Sequence, residues 1–88
     1  MTDIRDHRRR RALYRAQHRG TKEMDWLLGR FAAAQLPAMD GPGLGLFEEL
    51  LELPDTDLHS WILDPAVIDE PRFQPLVMTL RAFHGLTV

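Results

Sequence analysis

Five consecutive residues, Arg19-Gly20-Thr21-Lys22-Glu23, bring a guanidinium, a glycine and a carboxylate together at the junction of two helical patterns. Such a set suits recognition better than bond making. A guanidinium can fork onto a carboxylate, a glycine lets another backbone approach closely, and a glutamate offers the opposite charge. The plainer reading is a helix that ends at Gly20 and a second helix whose first turn welcomes Glu23. That reading explains Gly20 and Glu23 but gives Arg19 no task, and position alone does not choose between the two. Other chemistries fare worse. His7, His18, His59 and His84 fall in four different segments, and no pair has the helical spacing of a zinc site. Ser60 is the sole serine and lacks the glycines of a nucleophile elbow. Gly41, Gly43 and Gly45 have neither the preceding strand nor the following Lys-Ser/Thr of a phosphate loop, and they read as a flexible interhelical connection.

The chain that must position these residues is short. Eighty-eight residues at 10.2 kDa suffice for one small domain, and a chain of this size buries only roughly 60–70% of its unfolded surface. A surface or a shallow site is expected to do the work, not a deep catalytic cleft. No cysteine is present, which excludes disulfides and thiolate metal sites. The formal net charge of −2 conceals an asymmetry: residues 1–30 carry nine Lys/Arg against four Asp/Glu, and residues 31–88 carry two against nine. Charge segregation of this kind suggests a charged partner surface. Arg8 to Arg11, with Arg5 and Arg15 nearby, could serve phosphate contacts. A small basic-helix nucleic-acid-binding or regulatory protein is therefore the alternative class, weakened by the acidic overall balance and by the lack of interleaved aromatics other than Tyr14. No apolar run approaches the roughly 20 residues of a membrane span, and Asp3 and Asp6 are wrong for an organellar leader. A cytoplasmic, unprocessed chain is expected.

Turn signals divide the sequence into five helical segments without strand-type alternation. The first runs from about Asp3 to His18, its opening two turns prone to fray, with Asp6 and Arg10 as a supporting pair. In the second, Thr21 is the N-cap, Glu23 and Asp25 occupy the first turn, and Met24, Leu27, Leu28, Phe31 and Ala32 form the apolar stripe up to Leu36-Pro37. A loop at Gly41-Pro42-Gly43 precedes a third helix carrying Leu46, Phe47, Leu50, Leu51 and Leu53. Asp55 or Thr56 caps a fourth, with Leu58, Trp61 and Ile62 inward. The fifth spans about Arg72 to His84, with Pro75 in its first turn, Leu76, Val77, Leu80 and Phe83 inward, and Gly85 as its stop. The expected fold is an all-α compact five-helix bundle, a single domain over 1–88.

Two stretches together resemble a known family. Arg11-Ala12-Leu13-Tyr14-Arg15-Ala16-Gln17-His18-Arg19-Gly20-Thr21-Lys22-Glu23-Met24-Asp25, continuing through Leu27-Leu28-Gly29-Arg30-Phe31-Ala32, is similar to the succinate dehydrogenase FAD assembly factors of the SdhE type, whose Arg-Gly-x-x-Glu signature falls on Arg19, Gly20 and Glu23. A second family feature matches Asp55, Asp57, Leu58, Trp61 and Ile62. The resemblance covers roughly residues 8–84. Two departures stand out: Gly-Pro-Gly-Leu-Gly replaces a Ser/Asp/Glu-rich helix start, and Trp26 replaces a smaller aliphatic residue. The resemblance implies a five-helix, chaperone-like factor and not an enzyme. Such factors bind the flavoprotein subunit of succinate dehydrogenase, and in some bacteria that of fumarate reductase, and promote covalent attachment of FAD to a histidine of that subunit. FAD then belongs to the partner, and no cofactor is held stably here. Arg19, Gly20 and Glu23 become the docking corner, with Arg15, His18 and Lys22 beside them. Asp55, Asp57 and Trp61 become a second candidate, whose capping and core-filling tasks rank above contact.

Overall fold

The computed structural model describes residues 4–86. Five α-helices and no strand occur among them: α1 (Ile4–Gln17), α2 (Lys22–Gln35), α3 (Gly41–Leu51), α4 (Asp55–Leu63) and α5 (Gln74–Phe83), as the sequence patterns anticipate. Short 3-10 turns at Leu36–Ala38, Pro65–Val67 and Pro71–Phe73 punctuate them, each with a proline in its first two positions. The chain divides into two compact units, Met1–Glu52 and Leu53–Val88.

In the first unit, α1 and α2 run antiparallel. A Cβ built on Gly29 would lie 3.0 Å from Gln17 Cγ and 3.3 Å from Gln17 Cα, so the two backbones approach at a distance that only a glycine accommodates without a shift. Ala12 and Ala16, both buried, keep α1 slim on its inner face. The predicted stripe of Met24, Leu27, Leu28, Phe31 and Ala32 is buried throughout. It meets α3 through Phe31 and Phe47, whose rings are tilted with centroids 5.9 Å apart.

Arginines of α1 tie this unit together. Arg8 Nε donates to both carboxylate oxygens of Glu48 at 3.2 Å, and Nη2 adds a third, short bond to Oε1. Hydrogen bonding to Arg8 is the main cause holding the Glu48 carboxyl below its ordinary range. Arg9 Nε donates to the Leu36 carbonyl at 3.1 Å and its Nη2 to the Met39 carbonyl at 2.9 Å, fastening α1 to the 3-10 turn that follows α2. Arg9, and not Arg10, pairs with Asp6, at 3.5 Å across three residues, which corrects the expected pairing. The predicted loop at Gly41-Pro42-Gly43 is helical instead. Asp40 accepts from the Gly43 amide at 2.7 Å as an N-cap, and Pro42 in the first turn removes only an N–H that has no partner there. Two glycines and a proline suggest a loop by composition, but the cap in front of them decides.

In the second unit, Leu58, Trp61, Ile62, Phe73, Val77 and Leu80 are buried, with the Trp61 and Phe73 rings 6.0 Å apart. The N-cap position of α4 is Pro54, with no side-chain cap, so neither Asp55 nor Thr56 caps the helix. Asp55 and Asp57 occupy its first turn, where their charge favours the helix dipole. Asp64 ends α4 and accepts from the Ala66 amide at 3.1 Å. Pro75 lies in the first turn of α5 as expected. Gly85, at φ +74°, lets the Gly85 amide reach the Ala82 carbonyl at 3.0 Å and the Leu86 amide the Arg81 carbonyl at 2.7 Å, a Schellman closure. Phe83 does not turn inward: it is 41% exposed, because the buried stripe of α5 runs through Val77, Leu80 and the stem of Arg81. Arg81 donates from Nη1 to the Ile62 carbonyl in the last turn of α4.

Candidate functional site

The corner between α1 and α2 is built by one carboxylate and one cap. Asp25 Oδ1 accepts from the backbone amides of both Arg19, in a short bond, and Gly20, at 3.4 Å. Thr21, extended at φ −125° and ψ 149°, accepts through Oγ1 from the Met24 amide at 3.2 Å, the N-cap the sequence predicts. Gly20 sits at φ +123°, a conformation that L-residues rarely adopt. Its signal in the sequence therefore has a backbone cause, independent of any partner.

Arg19 has an intramolecular task that the sequence does not disclose. Its Nη1 donates to the Leu51 carbonyl at 2.6 Å, placing a cation on the C-terminal turn of α3, where the helix dipole favours one. The corner is thereby fastened to α3. Glu23 and Lys22 are exposed on the first turn of α2. Arg15, one turn back on α1, reaches Glu52 at 2.8 Å. His18 donates from Nδ1 to the Tyr14 carbonyl at 2.7 Å and stacks on the Tyr14 ring at 4.0 Å between centroids. Tyr14 itself is 63% exposed, so the pair forms an aromatic ledge beside Gly20. Arg15, His18, Arg19, Gly20, Lys22 and Glu23 thus fall on one corner of the first unit.

Asp55, Asp57 and Trp61 belong to the second unit. Asp57 is exposed, Asp55 half-buried, and Trp61 only 5% exposed within its unit's core. Trp61 thus fills part of that core, against Phe73. The sequence reading missed Asp25 as the organiser of the corner. The signal was an acid five residues beyond a glycine turn, close enough to collect amides that neither helix can use.

Much of the basic run is spent on the fold, through Arg8 on Glu48 and Arg9 on two carbonyls. A phosphate-binding reading of that run loses its main support. Among the described residues no group of three His, Asp or Glu side chains is arranged to hold a metal ion, and no helix is long and apolar enough to cross a membrane.

Comparison with known proteins decides the family. The profile of the Sdh5 family, the flavinator of succinate dehydrogenase, matches residues 10–84. The chain belongs to this family. It is 39% identical over 70 residues to the FAD assembly factor SdhE of Acetobacter pasteurianus, a match covering 80% of this chain and 64% of that protein. It is 36% identical over 76 residues to the mitochondrial succinate dehydrogenase assembly factor 2 of Dictyostelium discoideum, covering 86% of this chain and 53% of that one. The chain thus spans less than two thirds of the length of either relative. No solved structure matches it. The matched stretch contains both the Arg19-Gly20-x-x-Glu23 corner and the Asp55-x-Asp57-Leu58-x-x-Trp61 helix start.

Proposed function

We propose that this chain is an assembly factor that binds the flavoprotein subunit of succinate dehydrogenase and promotes covalent attachment of FAD. The observation that carries the reading is the Arg19-Gly20-Glu23 corner, formed intact inside the stretch matched by the Sdh5 family. Gly20 is exposed, so a partner backbone can approach it, and Glu23 beside it meets a basic group. Arg19 holds the corner against α3.

The chain acts by differential affinity. Docking holds the client's FAD-binding region and its neighbouring domain in the arrangement that lets the target histidine attack the flavin. An effector that binds all arrangements equally shifts nothing. Bond making belongs to the client, and FAD is the client's cargo, so the factor is not itself an enzyme and holds no cofactor stably. The fumarate reductase flavoprotein is a second client on the same grounds. The factor works in the cytoplasm, where a soluble flavoprotein subunit is met before it joins a membrane.

The test is reconstitution of the apo-flavoprotein with FAD, with and without this chain, followed by in-gel flavin fluorescence under denaturing conditions. Gly20→Arg is expected to abolish the chain's effect. Because φ +123° strains any side chain there, Glu23→Lys, which keeps the glycine, serves as the second variant. Covalent flavin at wild-type level with both variants, each folded by circular dichroism, would overturn the docking role of the corner.

A further inference from the structure

Along α2, beside the buried stripe, runs a groove of about 410 Å³. Trp26, Gly29 and Ala33 line it at helical spacing, and Gln17 of α1 closes one side. Trp26 is 50% exposed, although Leu27 and Leu28 next to it are buried. The Arg30 guanidinium lies 5.5 Å from the centre of the indole ring, a cation–π contact that steadies both side chains at the groove mouth. Lys22, in the first turn of α2, lines the groove as well. The one acid lining the groove, Asp25, turns an oxygen to the Arg19 and Gly20 amides. The groove therefore presents an apolar floor beside two cations, and residues 1–30, which supply most of its lining, hold nine Lys/Arg against four Asp/Glu.

We infer that this groove seats an acidic segment of the client flavoprotein, an apolar side chain lying on Trp26 and Ala33 with carboxylates meeting Lys22 and Arg30. The inference rests on the proposed function and extends the docking surface from the corner along α2, since Lys22 belongs to both. Charge complementarity selects the occupant. The two lining cations favour carboxylates, and the apolar floor beside them favours a peptide side chain over a sugar-phosphate backbone, which has nothing apolar to lay there. A half-exposed Trp paired with an Arg is also the residue combination in which interface binding energy concentrates. Gly29 sets the depth: a Cβ there would meet Gln17 and force the side of the groove to move.

The experiment measures binding of the purified succinate dehydrogenase flavoprotein subunit by titration calorimetry at several salt concentrations. The chains compared are wild type, Arg30→Glu, Arg30→Lys, Trp26→Ala and Ala33→Glu. All three positions are exposed on α2, and Ala33→Glu places a strong helix former there, so it stays folded and still puts a like charge before the incoming acid. Expected are a loss of tenfold or more for Arg30→Glu and Ala33→Glu, a several-fold loss for Trp26→Ala, near-normal binding for Arg30→Lys, and a shallower salt dependence for Arg30→Glu. If wild type binds, Gly20→Arg does not, and the groove variants bind within twofold of wild type, the groove proposal is overturned while the assembly function stands. If wild type itself does not bind, both fall. Self-association that Trp26→Ala abolishes without changing client binding would assign the groove to a second copy of this chain and also overturn the proposal.

Discussion

Two glycines, each well inside a helix of the first unit, should answer the same substitution with opposite signs. Replacing a helix-interior glycine by alanine gains about 0.8–1 kcal/mol in backbone propensity. At Gly45 in α3 a new Cβ would find only Arg8 Nη2, at 3.8 Å, an ordinary contact. Gly45→Ala should therefore stabilise by about 1 kcal/mol, a rise in Tm of about 4–8 °C for a domain of this size. At Gly29 the same Cβ would lie 3.0 Å from Gln17 Cγ and 3.3 Å from Gln17 Cα. The first neighbour belongs to a flexible side chain and can rotate away. The second is backbone, so α1 must shift by a few tenths of an ångström. Overpacking of this kind costs about 1–3 kcal/mol, which cancels or outweighs the propensity gain and leaves a net change of about 0 to −2 kcal/mol. Urea and thermal unfolding of both variants, followed by far-ultraviolet circular dichroism, give the comparison directly. If Gly29→Ala raised the midpoint as much as Gly45→Ala, the close approach of α1 and α2 would be wrong.

Two further outcomes follow from the packing. The Glu48 carboxyl, held below the ordinary value near 4.5 by Arg8, stabilises the fold fully above that value, and the contribution is lost as pH falls through the lowered folded value. Glu48→Gln should flatten the acid limb of a stability–pH profile, taken from urea midpoints, and an equally steep limb in the variant would remove the pair from the account. Trp61→Ala should cost about 3–5 kcal/mol by emptying the core of the second unit, read as a large fall in Tm. A variant that melts normally but loses the client would move Trp61 from core to contact.

Most helices and inner faces were legible because apolar spacing of three and four residues survives tertiary detail, as in Met24 to Ala32, but α3 buries Leu44 where Leu46 is expected and stops at Leu51, short of Leu53. Thr21 and Gly85 were legible for a similar reason: a cap and a left-handed stop are local chemistry. The start of α3 was not, because Gly41-Pro42-Gly43 carries loop composition and only the Asp40 side chain turns it into a helix start. Phe83 failed because the inward position of that turn goes to the stem of Arg81, whose charged end finds a carbonyl of α4. At the corner, the residue types and their order were readable, while the division of labour was not. Arg19 reaches Leu51, 32 residues away, and Asp25 serves amides behind it in the chain. Neither link leaves a periodic trace in a sequence.

The hydrogen bonds from Asp25 to the Arg19 and Gly20 amides have a thermodynamic consequence for any encounter. Fixing a residue's backbone costs about 1–2 kcal/mol, and four residues, 18–21, separate α1 from α2. A connection left loose until docking would meet that penalty, an upper bound of about 4–8 kcal/mol, at the moment of association. Here folding has already met it. The corner is a rigid template before any encounter, so the proposed docking would carry no ordering cost on this side of the interface.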